Sequence, residues 1–134
     1  MITLHILQYL KESGFGTNID SDLFFEVLPL GKNGIAIYSR GGLQERGRAT
    51  VQQNFDLYIR GNSNTIGADK AEKVRTFLAA SYGSVCDLPT VPTVSNRKYK
   101  NCRFVNIGNV ENLGLDENDR IVYRLGAQIN YNKI

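Results

Sequence analysis

With one histidine and two cysteines in 134 residues, the chain has almost nothing from which to build a transition-metal site. His5 has no histidine or cysteine at ligand spacing and no nucleophile beside it, so it reads as a packing or surface residue rather than a ligand or base. Cys86 and Cys102 form neither a CxxC pair nor a dense disulfide framework. They fit free thiols in a reducing compartment. No apolar run approaches the roughly 18 residues that a membrane span needs, so no membrane partner is expected. The apolar start, Met1 to Leu7, lacks a basic flank and a small-residue cleavage site and breaks into Lys11-Glu12, so no targeting signal is expected.

Motifs that carry chemistry are equally scarce. Ser95-Asn96-Arg97-Lys98 matches the SxxK pattern of penicillin-recognising enzymes, but the companion motifs are missing and Pro92 disfavours the helix that pattern needs. Asp116-Glu117-Asn118-Asp119 fails the calcium-loop spacing, because Arg120 falls where an oxygen ligand belongs and no glycine follows; it reads as a solvated turn. Asn18 to Asp22 lacks the glycine and the closing glutamate of such a loop and reads as a turn as well. Gly41, Gly42 and Gly47 match no phosphate-binding glycine pattern. No nucleophile–base pair stands out either. The expectation is a non-enzymatic protein without a cofactor or metal.

What is present is ordinary in total and uneven in distribution. A composition 42% hydrophobic and 22% charged fits one globular domain spanning residues 1–134, and sixteen basic against thirteen acidic side chains leave only +3. That surplus is too small to mark a nucleic-acid binder. Arg97, Lys98, Lys100 and Arg103 nevertheless form a basic run without an intervening acid, and Glu111, Asp116, Glu117 and Asp119 make the next stretch acidic.

Periodicity predicts an opening helix through Ile2, Ile6, Tyr9 and Leu10, with Leu7 beside them, stopped near Gly14. It then predicts a strand from Leu23 to Leu28, a turn at Gly31 to Gly34 and a hairpin partner from Ile35 to Tyr38. Val51, Phe55, Leu57 and Ile59 alternate with Gln52, Asn54, Asp56 and Tyr58 over Thr50 to Arg60, as in a half-buried strand. A turn is expected at Gly61 to Thr65 and a helix from Ala68 to Ser81 with Gly83 as its stop. Pro89 and Pro92 predict an exposed, extended connection from Ser84 to Asn101. Strands follow at Cys102 to Ile107 and, with the clearest alternation, at Arg120 to Tyr131. The fold class is α+β, with one mostly antiparallel or mixed β-sheet packed against two helices.

The basic, glycine-rich segment Arg40-Gly41-Gly42-Leu43-Gln44-Glu45-Arg46-Gly47-Arg48 reads as a loop between strands that can reach a partner. Arg40, Arg46, Arg48 and Arg60 suit protein contacts and phosphate equally, and no RNA-binding aromatic signature accompanies them.

In order and spacing, several of these features resemble the tail-terminator, or minor capsid, proteins of long-tailed bacteriophages. They are Arg40-Gly41-Gly42, the strand Phe55-Asp56-Leu57-Tyr58-Ile59-Arg60-Gly61, the helix near Ala68, and Leu113-Gly114-Leu115-Asp116-Glu117-Asn118-Asp119-Arg120-Ile121-Val122-Tyr123 before a long last strand. The resemblance implies a subunit that assembles as a hexameric ring on the tail tube, stops its polymerisation and presents a docking face to the head connector. It places the protein in the virion at the tail–neck junction, assembled in the host cytoplasm. The partners it implies are further copies of the chain, the tail-tube protein and the head–tail connector, with non-specific contact to DNA passing through the ring. Another neck component, such as a head-closure protein, or a nucleic-acid-binding module are the competing readings. The ring reading leads to two expectations. The basic run Arg97 to Arg103 faces the acidic stretch Glu111 to Asp119 of a neighbour, and the Arg40 to Arg48 segment meets the tail tube or the DNA.

Overall fold

The structure, a computed structural model, describes residues 2–44 and 50–132. Helix α1 (Ile2–Glu12) turns Ile2, Ile6, Leu7 and Leu10 inward at helical spacing. It ends where Gly14 takes a positive φ and the Phe15 N–H donates back to Leu10 O at 3.0 Å.

Seven strands follow the order β1-β2-β3-β7-β5-β4, with β6 also on β7. They are β1 (Leu23–Phe25), β2 (Gly34–Gln44), β3 (Thr50–Arg60), β4 (Cys86–Leu88), β5 (Tyr99–Val105), β6 (Glu111–Leu115) and β7 (Ile121–Asn132), with α2 (Asn64–Ala80) between β3 and β4. Every strand pairing is antiparallel except β1 with β2. The α+β class expected from periodicity is the observed one. Phe55, Leu57 and Ile59 of β3, Leu125, Ala127 and Ile129 of β7 and Phe104 of β5 share the inner face. They pack with Ile6 and Leu10 of α1 and with Ala71, Val74 and Leu78 of α2 in one hydrophobic cluster. Both helices therefore cover the same side of the sheet, and among the described residues the other side has none.

The expected Leu23–Tyr38 hairpin is a correction: β1 and β2 run parallel, with Leu23 opposite Ile35 and Phe25 opposite Ile37. The strand stops at Phe25 because Glu26 turns into positive φ, and its carboxylate accepts the Ser39 N–H and hydroxyl. Residues 26–33 then carry the chain back so that β2 re-enters in the same direction. Re-entry needs glycine at position 34: φ is +144° and a Cβ there would lie 2.1 Å from Asp22 O.

Three further expectations are corrected. The second helix starts at Asn64, not Ala68, because Ser63 is its N-cap and its hydroxyl accepts the Ile66 N–H at 3.2 Å. The Ser84–Asn101 stretch is not a plain exposed connection. It contains β4, paired to β5, and buries Leu88, Val91 and Tyr99. Finally, the acidic stretch after Ile107 contains β6, where periodicity predicts no strand. Its residues are all exposed, so no alternation of apolar and polar burial marks it.

Candidate interaction surfaces

On the helix-free side of the sheet the ladder places Tyr38, Asp56 and Gly126 opposite one another on β2, β3 and β7. Asp56 is buried, and Arg40, at a bulge where the β2–β3 register shifts between Ser39 and Gly42, reaches across to it with Nε 2.7 Å from Oδ1. Glycine at 126 leaves the room: a Cβ there would meet Asp56 Oδ1 at 3.1 Å and Arg40 Nη2 at 3.3 Å. Tyr38 and Tyr58 pack edge to face beside this pair, with centroids 4.8 Å apart. The Arg40 side chain remains about half exposed, at 47%. Residues Arg40 to Gln44 thus belong to β2 rather than to a free loop. Arg46 and Arg48 lie outside the described residues.

Arg60 is a correction of a different kind. It is 4% exposed, so it is no surface contact. Its Nη1 donates to Pro29 O and Lys32 O, each at 2.9 Å, and its Nε lies 2.8 Å from Asp116 Oδ2. One guanidinium thereby ties the 26–33 loop to the turn between β6 and β7. Asp116 is not the solvated residue expected of that turn. Its Oδ1 accepts the N–H groups of Asn118 (2.8 Å) and Arg120 (3.0 Å), and the Arg120 N–H foremost holds its pKa below the usual carboxylate value. The Arg120 guanidinium also donates to Asn33 Oδ1 on the neighbouring loop.

The basic run stands at the start of β5. Arg97, Lys98, Lys100 and Arg103 are exposed while Tyr99 and Cys102 between them are buried, and the Arg97 guanidinium lies over the Tyr99 ring at 4.9 Å. Glu117 and Asp119 are exposed in the β6–β7 turn, while Glu111 meets Arg124 across the ladder at 3.4 Å. Among the described residues, Lys98, Lys100 and Arg103 have no acidic partner, and Glu117 and Asp119 have no basic one. β5 pairs with Arg103 opposite Asn130, and β6 with Glu111 opposite Arg124. Arg103 and Glu111 therefore sit roughly 20 Å apart along β7, at about 3.3 Å per residue, with Lys98 and Lys100 farther out at one end and Glu117 and Asp119 at the other.

His5 lies wholly inside. One ring nitrogen bonds Pro89 O at 2.8 Å, the other the Ser95 hydroxyl at 3.0 Å, and its ring packs edge-on to Tyr99. Burial pushes its pKa down, and the Pro89 carbonyl opposes that shift. The residue pins the Pro89–Ser95 segment to α1. Cys86 and Cys102 face each other across β4 and β5 as free thiols, and burial pushes the Cys102 thiol up to about 12. Among the described residues no three or more histidine, cysteine, aspartate or glutamate side chains gather as a metal site, and no helix is long and apolar enough to cross a membrane.

Sequence reasoning singled out the arginines without separating Arg60 from Arg40, and it missed Asp56, whose partner it did not anticipate. The signal was there in part. Asp56 falls in the polar register of its strand, which assigns its face, but nothing local names Arg40 as the residue that covers it. Compared with models of protein families and with curated proteins, the chain matches none.

Proposed function

We propose that the chain is a structural subunit that assembles as a closed ring on the end of a bacteriophage tail tube, stops the tube's growth and joins it to the head connector. The observation that carries the reading is the separation of two charged surfaces that have, among the described residues, no partner of opposite sign. The basic residues at the start of β5 and the acids of the β6–β7 turn lie too far apart to meet within one copy. Complementary patches at different places on one chain make heterologous contacts, which close into a ring when the rotation between copies allows. The long paired β2–β3 arms, with Arg40 at their middle, supply a further surface for the tube or the DNA in its bore. The sequence resemblance to tail terminators points to the same role, and on this reading the protein performs no chemistry and holds no cofactor.

The test is to add the purified chain to polymerising tail-tube subunits of the same virus and to image the products by electron microscopy. Short tubes with extra density at one end are expected. Tubes of unchanged length without an added cap would contradict the proposal.

A further inference from the structure

The Arg60 junction stabilises something that does not pack. The two segments it ties together carry Val27 (53% exposed), Leu30 (72%), Leu113 (47%) and Leu115 (63%), half of the eight strongly exposed large hydrophobics among the described residues. A buried ion pair contributes little net stability compared with apolar packing, because both charges must leave water. Here it is joined by two carbonyl acceptors and by the Arg120 contact to Asn33, so the two segments are braced in place although their leucines face solvent. A rigid, exposed apolar patch is the form of a preorganised binding surface. Beside Leu115 it carries the exposed acids Glu117 and Asp119, while the exposed Lys32 stands on the Leu30 side.

A complementary occupant must present apolar groups together with positive charge. The chain contains such a segment: Val94, 67% exposed on the turn before β5, is followed by the exposed Arg97, Lys98 and Lys100. Its own copy holds that segment roughly 40 Å from Leu115 along β7, at about 3.3 Å per residue. We infer that the Leu30–Leu115 patch is the receiving half of the ring contact and takes residues 94–100 of the next copy. Lys98 and Lys100 then meet Glu117 and Asp119, and Val94 meets the leucines. This rests on the ring reading and specifies which surfaces make the ring. It also revises the charge pairing read from the sequence, because Asp116 is committed to Arg60 and Glu111 to Arg124.

The experiment uses the full chain in sedimentation velocity over a concentration series, with circular dichroism to establish that each variant is folded. Leu30→Asp, Leu115→Asp and the Lys98→Glu/Lys100→Glu pair should each weaken association by about tenfold or more. The pair Glu117→Lys/Asp119→Lys should do the same, and combining both charge reversals in one chain should restore association to within about threefold of wild type. Folded leucine variants that associate like wild type, or a combined reversal no better than either half, overturn the surface assignment and leave the ring reading standing. A wild-type chain that forms no closed oligomer overturns the ring reading and this assignment with it.

Discussion

Arg40 and Arg60 stand on adjacent strands, each beside an aspartate, and do opposite things. Arg40 lies along the open face of the sheet, half exposed, over the buried Asp56. Arg60 is enclosed, and every contact it makes joins one loop to another. The difference teaches that residue type and local pattern identify an arginine that matters without saying whether it faces inward or outward. What decides is which segments arrive beside it from elsewhere in the chain: Arg60 has the 26–33 loop and the Asp116 turn, whereas Arg40, among the described residues, meets the neighbouring strands at Asp56 and Gly126.

The largest expected effect tests the enclosed side of that contrast. Arg60→Ala strands two carbonyls and a carboxylate at the junction and should cost about 3–5 kcal/mol in urea unfolding. Arg60→Lys should recover only a small part, since a single ammonium cannot reproduce the planar fork that serves three acceptors. A loss no greater than that of Arg40→Ala would erase the distinction.

His5 offers a second enclosed tie. His5→Ala leaves Pro89 O and the Ser95 hydroxyl without their partner and should cost about 2–3 kcal/mol by the same unfolding measurement. Its lowered pKa also fixes a sign with pH. The folded state resists protonation that the unfolded chain accepts, so His5 lets stability fall as pH drops below about 6.5. Asp22 and Asp116, whose pKa values are also lowered, lose their contribution only in the more acidic carboxylate range. Thermal unfolding of wild type and His5→Gln between pH 7 and 5 should therefore diverge in slope, with the variant flatter. Parallel slopes would remove histidine as the cause.

The exposed pair should yield less. Arg40→Ala is expected to cost about 1–2 kcal/mol, since water can replace the half-exposed guanidinium over the buried Asp56. Smaller still is Gly126→Ala, whose Cβ would press on Asp56 Oδ1 and Arg40 Nη2 and shift that pair by a few tenths of an ångström. Its unfolding midpoint should match that of Arg40→Ala or lie closer to wild type, and a larger drop would mean the pair supports more of the sheet than its exposure implies.

The α+β class and the long alternating strands at Thr50–Arg60 and Ile121–Asn132 were legible because one-sided burial writes itself into period-two patterning. The direction of β1 was not, since three residues of strand carry no mark of parallel or antiparallel pairing, and the deciding contacts are Glu26 to Ser39 and Asp22 to Ile35. β6 was invisible for the opposite reason: with all its residues exposed, it is held by backbone pairing to β7 and the Glu111–Arg124 contact, and neither leaves a burial pattern in the sequence. Of the candidate surface, the charges of Lys98, Lys100, Glu117 and Asp119 could be read directly. Leu30 and Leu115 could not, because only the Arg60 junction brings their two loops together.

The central claim is that copies of this chain meet head to tail through two different surfaces and close. Native mass spectrometry of the wild-type chain over a concentration series tests it most directly. A single closed oligomer that grows at the expense of monomer, without larger species, is the predicted result; a ladder of ever larger assemblies, or monomer alone at every concentration, would contradict it.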